Sequence, residues 1–115
     1  MHELSIATTM VEMATDEAAR LGGARVLAVH LRLGPLSGVA RDALLFSWDL
    51  ACDDTPVEGA RLVIEESPIV VRCDPCGEDR TLGTEWRLAC PECGEPTPQL
   101  LAGNELEVVA LEIEG

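Results

Sequence analysis

The sequence predicts an α+β protein, a small sheet of about three strands with two helices, carrying an inserted zinc-ribbon-like domain. Three observations predict it. Apolar residues recur at helical spacing in two segments, and β-like apolar patterns fill several others. Between residues 73 and 104 both patterns give way to prolines, glycines and two Cys-x-x-Cys pairs.

The first helix is read from Leu4 to Leu21, where Leu4, Ala7, Val11, Ala14, Ala18 and Leu21 fall on one face. Gly22-Gly23 ends it. Met10 and Met13 flank that face and are read as flexible core filler. From Arg25 to Leu33 the chain alternates, with Leu27, Val29, Leu31 and Leu33 on one side and Ala28, His30 and Arg32 on the other, as in a half-buried strand. Gly34-Pro35 closes it. A second helix runs from Ala40 to Cys52 through Leu45, Trp48, Ala51 and Cys52, until Asp53-Asp54-Thr55-Pro56 breaks the run. Residues 62–66 and 69–72 are short strand candidates split by Pro68, and residues 106–113 are a further β-like stretch. Because β-like sequence lies on both sides of the cysteine segment, the last strand is expected to return to the first sheet. That makes residues 1–72 and 105–115 one discontinuous domain and residues 73–104 the insert.

Charge narrows the function. The chain has 21 acidic residues against 8 basic ones, all arginine, for a formal net charge of −13. Such a surface repels phosphate backbones, so no nucleic-acid partner is expected. The apolar runs are far shorter than the ~20 residues that cross a bilayer, and the start lacks the basic and then apolar run of a secretory signal. No membrane association and a cytoplasmic location are the expectations. In that reducing setting five cysteines suit metal ligands plus one spare better than a disulfide framework.

Cys73-Asp74-Pro75-Cys76-Gly77-Glu78 and Cys90-Pro91-Glu92-Cys93-Gly94-Glu95 are near repeats. A two-residue gap lets both thiolates of a tight turn reach one ion, and the following glycine permits φ > 0, so that backbone N–H groups approach the sulfurs. Cys73, Cys76, Cys90 and Cys93 are therefore the expected ligands of a structural Zn(II); an iron site with the same four sulfurs is the alternative. A redox dithiol would need only one pair. Cys52 is read as a small buried hydrophobe and His30 as a plain strand residue. No Ser/His/Asp set or phosphate-cradling glycine loop is present, and four cysteines close a zinc sphere against substrate water, so catalysis is not expected.

The amino terminus carries a second possibility. His2 is bulky, so Met1 is expected to keep its free amine. From that amine a metal can close a five-membered ring to the His2 amide nitrogen and a six-membered ring to the His2 imidazole, a planar nitrogen set suited to Ni(II) or Cu(II). Glu3 could complete it by its amide or carboxylate, or anchor a partner.

The chain resembles the HypA/HybF family of hydrogenase nickel-incorporation proteins nearly end to end. The resemblance is carried by Met1-His2-Glu3-Leu4-Ser5, by Leu33-Gly34-Pro35-Leu36-Ser37-Gly38-Val39, by Glu58-Gly59-Ala60-Arg61-Leu62, by the two Cys-x-x-Cys-Gly knuckles, and by Gly103-Asn104-Glu105-Leu106-Glu107 with Leu111-Glu112-Ile113-Glu114. It implies a nickel metallochaperone in which His2 binds Ni(II) cargo with Met1 and Glu3 assisting, while the four cysteines hold zinc. It also implies docking to the GTPase HypB, transfer into the large subunit of [NiFe]-hydrogenase and, in some members, a supply of nickel to urease maturation. Some relatives place histidines in or beside the zinc domain, and residues 73–104 here contain none. A zinc-ribbon protein–protein adaptor without nickel handling is the alternative.

Overall fold

The computed structural model describes residues 3–83 and 87–114. Helix α1 (Glu3–Arg20) buries Ala7, Met10, Val11, Ala14 and Ala18. It stops where Gly22 and Gly23 turn left-handed, at φ 84° and 79°, and their amides return to the Ala19 and Ala18 carbonyls at 3.1 and 2.9 Å. Of the two methionines read as core filler, Met10 is buried and Met13 is 51 % exposed. Leu4 and Leu21, at the helix ends, also face solvent.

Strand β1 (Val26–Leu33) is central in a sheet of order β2-β1-β6. Strand β2 (Arg61–Glu66) runs parallel to it and β6 (Leu106–Ile113) antiparallel. A parallel neighbour requires a crossover, and helix α2 (Arg41–Cys52) supplies it. One core joins both helices to this sheet through Val29, Leu31, Leu33, Leu44, Trp48 and Val57. Trp48 anchors it, donating from Nε1 to the Ala60 carbonyl at 2.9 Å.

Two inward-facing sets differ from expectation by one position. In β1, Leu27 is exposed and Val26 is buried in its place, because the pairing with β6 slips a residue between Val26 and Ala28. In α2, Leu44 is fully buried and Leu45 only half-buried, the rotation being fixed by the Trp48 indole bond. Cys52 is 3 % exposed within the core, as its spacing predicts. Its thiol is pushed up to about 11 by burial, then by the charges of Asp49 and Glu58.

The second sheet has the order β4-β3-β5, from β3 (Ile69–Cys73), β4 (Glu78–Leu82) and β5 (Leu100–Ala102). The sheets thus divide at Ser67-Pro68, and residues 69–72, expected within the first domain, pair with the cysteine segment instead. Pro68 marks this change of sheet, which sequence patterning alone cannot tell from an interruption within one sheet. The return of the last strand beside β1 is observed.

The sheets meet at a backbone junction. Leu36 N donates to Gly103 O at 2.7 Å, Gly34 N to Glu105 O at 2.9 Å, and Ser67 N to Leu33 O at 3.0 Å. A Cβ on Gly34 would lie 2.2 Å from the Gly103 carbonyl oxygen, with no flexible side chain to yield. Gly34→Ala should therefore cost about 1–3 kcal/mol or more by overpacking, read as a lower urea midpoint at unchanged slope. Hydrogen bonds from its own amide, then from Gly103 N at 2.9 Å, hold the Glu105 carboxyl below its ordinary range. With the folded value depressed, this contribution to the junction is present above the ordinary carboxylate range and is lost as pH falls below that range through the depressed value.

Candidate metal centre

Two tight turns present the four cysteines. Cys73 ends β3 and Cys76 sits in the turn before β4. Cys90 and Cys93 flank the second turn, closed by Gly94 N to Cys90 O at 2.8 Å and Cys90 N to Glu95 O at 2.9 Å. Gly77 and Gly94 adopt φ 69° and 78°, the left-handed conformation the knuckle spacing predicts.

The four sulfurs all lie within 4.8 Å of one another. Cys73 Sγ is 3.5 Å from Cys93 Sγ, and Cys76 Sγ is 3.9 Å from Cys90 Sγ. A tetrahedral ion with metal–sulfur bonds near 2.3 Å sets its ligands about 3.8 Å apart, whereas a disulfide needs about 2.05 Å. The cluster therefore fits one tetrahedrally held ion, and all five cysteines are free thiols. Cys73 and Cys90 are buried, Cys76 is half-buried and Cys93 exposed.

Local dipoles treat these thiols unequally. Amide donation from Cys93, the strongest influence, draws the Cys90 thiol down to about 6 against burial, aided by the Glu92 amide, Arg80 and Cys73. The Cys76 amide acts similarly on Cys73, but burial and hydrogen bonds with the other three sulfurs outweigh it and push that thiol up to about 12. A cation bound by both must displace the proton that burial favours on Cys73.

The other candidates are dispersed. Met1 and His2 lie outside the described residues. Glu3 opens α1, and its carboxylate accepts from the Ala40 amide at 3.3 Å, which ties the chain start to the beginning of α2. His30 is half-buried on the solvent face of the sheet, its Nε2 3.1 Å from Glu112 Oε2. A second acidic group, Asp53, Asp54 and Glu58, is fully exposed, and Glu58 accepts from the Asp54 amide at 2.9 Å as a cap on the turn after α2. Sequence reasoning missed Arg80, whose side chain reaches the cysteine cluster.

The profile of a family described as hydrogenase/urease nickel incorporation, metallochaperone, HypA, matches residues 1–113. The chain belongs to the HypA family. A hydrogenase maturation factor HypA of Roseiflexus sp. (strain RS-1) is 52% identical over 114 residues, covering 99% of this chain and 93% of its own. Another, of Chloroflexus aurantiacus (strain ATCC 29366 / DSM 635 / J-10-fl), is 51% identical over 112 residues, covering 97% and 98%. The fold matches the solution structure of the Ni metallochaperone HypA from Helicobacter pylori, with a TM-score of 0.68 at 18% identity and coverage of 98% and 97% of the two chains. A second HypA solution structure matches with a TM-score of 0.73. The HypA fold, two helices with three-stranded sheets and a cysteine-bearing insert, is the α+β class that the sequence predicts. Among the described residues no helix is long and apolar enough to cross a membrane.

Proposed function

We propose that this HypA-family chain is a nickel metallochaperone that binds Ni(II) at its N-terminus and helps insert it into [NiFe]-hydrogenase during maturation, with structural Zn(II) at Cys73, Cys76, Cys90 and Cys93. The observation that carries the reading is the closed sulfur cluster in a chain whose family is defined by nickel incorporation. Four convergent thiols leave no open coordination position, so a cargo ion that must be released needs another site.

The N-terminal tripeptide offers one. His2, assisted by the Met1 amine and by Glu3, would form a loose nitrogen clasp. Because the Glu3 carboxylate accepts from the Ala40 amide, this reading assigns the Glu3 contribution to its backbone amide. In this reading the chain works as two units divided at Ser67-Pro68 and Gly103, one nickel-handling and one zinc-stapled. The GTPase HypB, the [NiFe]-hydrogenase large subunit and urease maturation proteins are its partners, in the cytoplasm.

A second reading, a zinc-ribbon protein–protein adaptor that never handles nickel, is favoured by one feature. On α2, Phe46 is 70 % exposed and Leu50, one turn on, is 56 % exposed, an apolar pair available to a protein surface. Acetylating the terminal amine separates the two. The chaperone reading expects nickel binding to be lost, because the five-membered ring starts at that amine and anchors the metal against the His2 amide nitrogen, and the adaptor reading expects no functional change. Undiminished nickel binding by verified acetylated protein would remove the N-terminal site.

A further inference from the structure

The β3–β4 hairpin sets Val71 opposite Arg80 and Cys73 opposite Glu78. Directly opposed residues of an antiparallel pair share a face, and so do residues two apart on one strand, so Val71, Cys73 and Arg80 project to the same side. Val71 and Cys73 are fully buried there, and the Arg80 side chain is 23 % exposed. Its guanidinium lies beside the sulfurs of Cys76 and Cys90, one from each knuckle. Its Nη1 meets Glu78 Oε2 at 3.2 Å, while its Nε is buried without a partner of its own. Arg72 is engaged differently, with Asp79 at 3.2 Å and Asp74 at 3.6 Å.

Charge makes this placement consequential. Four thiolates around a divalent ion leave two negative charges, in a chain already at −13 and beside Asp74, Glu78, Glu92 and Glu95 of the knuckles. A partly buried anion of that kind is costly unless it is paired and hydrogen-bonded. Donors to ligand atoms also fix their orientation and adjust their basicity.

We propose that Arg80 is the positioning cation of the cysteine cluster: donating to one sulfur of each knuckle, it offsets the charge of the tetrathiolate, sets how tightly the ion is kept, and shields Cys76 and Cys90 while leaving Cys93 open. The inference rests on the zinc reading above. It predicts an unequal site, in which an electrophile attacks the zinc-loaded protein first at exposed Cys93.

The test uses the full zinc-loaded chain, as wild type and as Arg80→Gln, Arg80→Lys and Arg72→Gln. Zinc is counted per chain, then titrated against a chromophoric chelator; alkylated cysteines are ordered by mass spectrometry, and the sulfur-to-metal charge-transfer band is recorded after Co(II) exchange. The wild type should hold one zinc and alkylate first at Cys93. Arg80→Gln should lose about 10- to 100-fold in zinc affinity, the usual effect of removing an outer partner of a metal ligand, with Cys76 and Cys90 newly reactive and the Co(II) band shifted. Arg80→Lys should recover part of the affinity, and Arg72→Gln should match the wild type. A zinc-replete Arg80→Gln chain whose affinity, alkylation order and Co(II) band match those of the wild type and of Arg72→Gln overturns the role of Arg80 and leaves the zinc reading intact. A folded wild type with no ion at its thiolates overturns both. If Arg80→Gln fails to fold, Arg80→Lys decides: reduced zinc affinity with Cys76 or Cys90 newly reactive supports the paired donation, and wild-type affinity, alkylation order and Co(II) band with the fork removed overturn it.

Discussion

Removing the metal from the cysteines with a strong chelator is expected to unfold residues 69–102 and leave both helices and the β2-β1-β6 sheet folded. The apolar content on the two sides decides this. The helical unit has a continuous core that includes Met10, Val29, Leu31, Leu44, Trp48 and Val57. In the second sheet the buried aliphatic residues are Ile69 and Val71. Two such side chains bury too little apolar surface to order a segment of this length on their own, and thiolate-bound metal supplies folding free energy that a chelator removes. Trypsin should then cut after Arg72, Arg80 and Arg87 while Arg32 and Arg61 stay protected, and the far-UV helical signal should persist. Unchanged protease resistance after verified metal loss would refute a metal-dependent module.

The second large effect is expected from His2→Ala. This change removes the imidazole and the six-membered chelate ring it closes, so stoichiometric nickel binding should vanish in calorimetric titration while zinc content stays at the wild-type level. The wild-type affinity should also follow pH in a defined direction. The Met1 amine and the His2 imidazole bind only when neutral, so nickel affinity should fall as pH drops through the ordinary amine range of about 7.7–8.0 and more steeply below the ordinary histidine value of ~6.5. A His2→Ala protein that titrates like wild type would remove the N-terminal assignment.

Much of the first unit was legible because its elements follow regular periods. Helix α1 shows this in Ala7, Val11, Ala14 and Ala18, and β1 in Val29, Leu31 and Leu33, all of which are buried as the pattern predicts. The misplaced residues have local causes that periodicity does not carry: the slip against β6 exposes Leu27, and the Trp48 indole bond turns α2 toward Leu44. The knuckle cysteines were legible because their spacing is itself a geometric requirement. Strand β4 was not, since Glu78-Asp79-Arg80-Thr81-Leu82 has no apolar alternation and becomes a strand only because the first knuckle folds it back on β3. Arg80 was hidden for the same reason. Its contact with Cys76 and Cys90 depends on a register that no local signal announces. The junction was visible as the motifs Gly34-Pro35-Leu36 and Gly103-Asn104-Glu105, but their mutual hydrogen bonds, and hence the need for glycine at 34, appear only in three dimensions.

In the proposed function one short chain keeps two separate coordination spheres, sulfur for architecture and nitrogen for cargo. X-ray absorption on protein loaded with both metals reads each sphere at its own edge. Four sulfurs at about 2.3 Å around zinc and only nitrogen and oxygen neighbours around nickel are the expected result. Sulfur scattering at the nickel edge, or light-atom ligands replacing sulfur at the zinc edge, would contradict it.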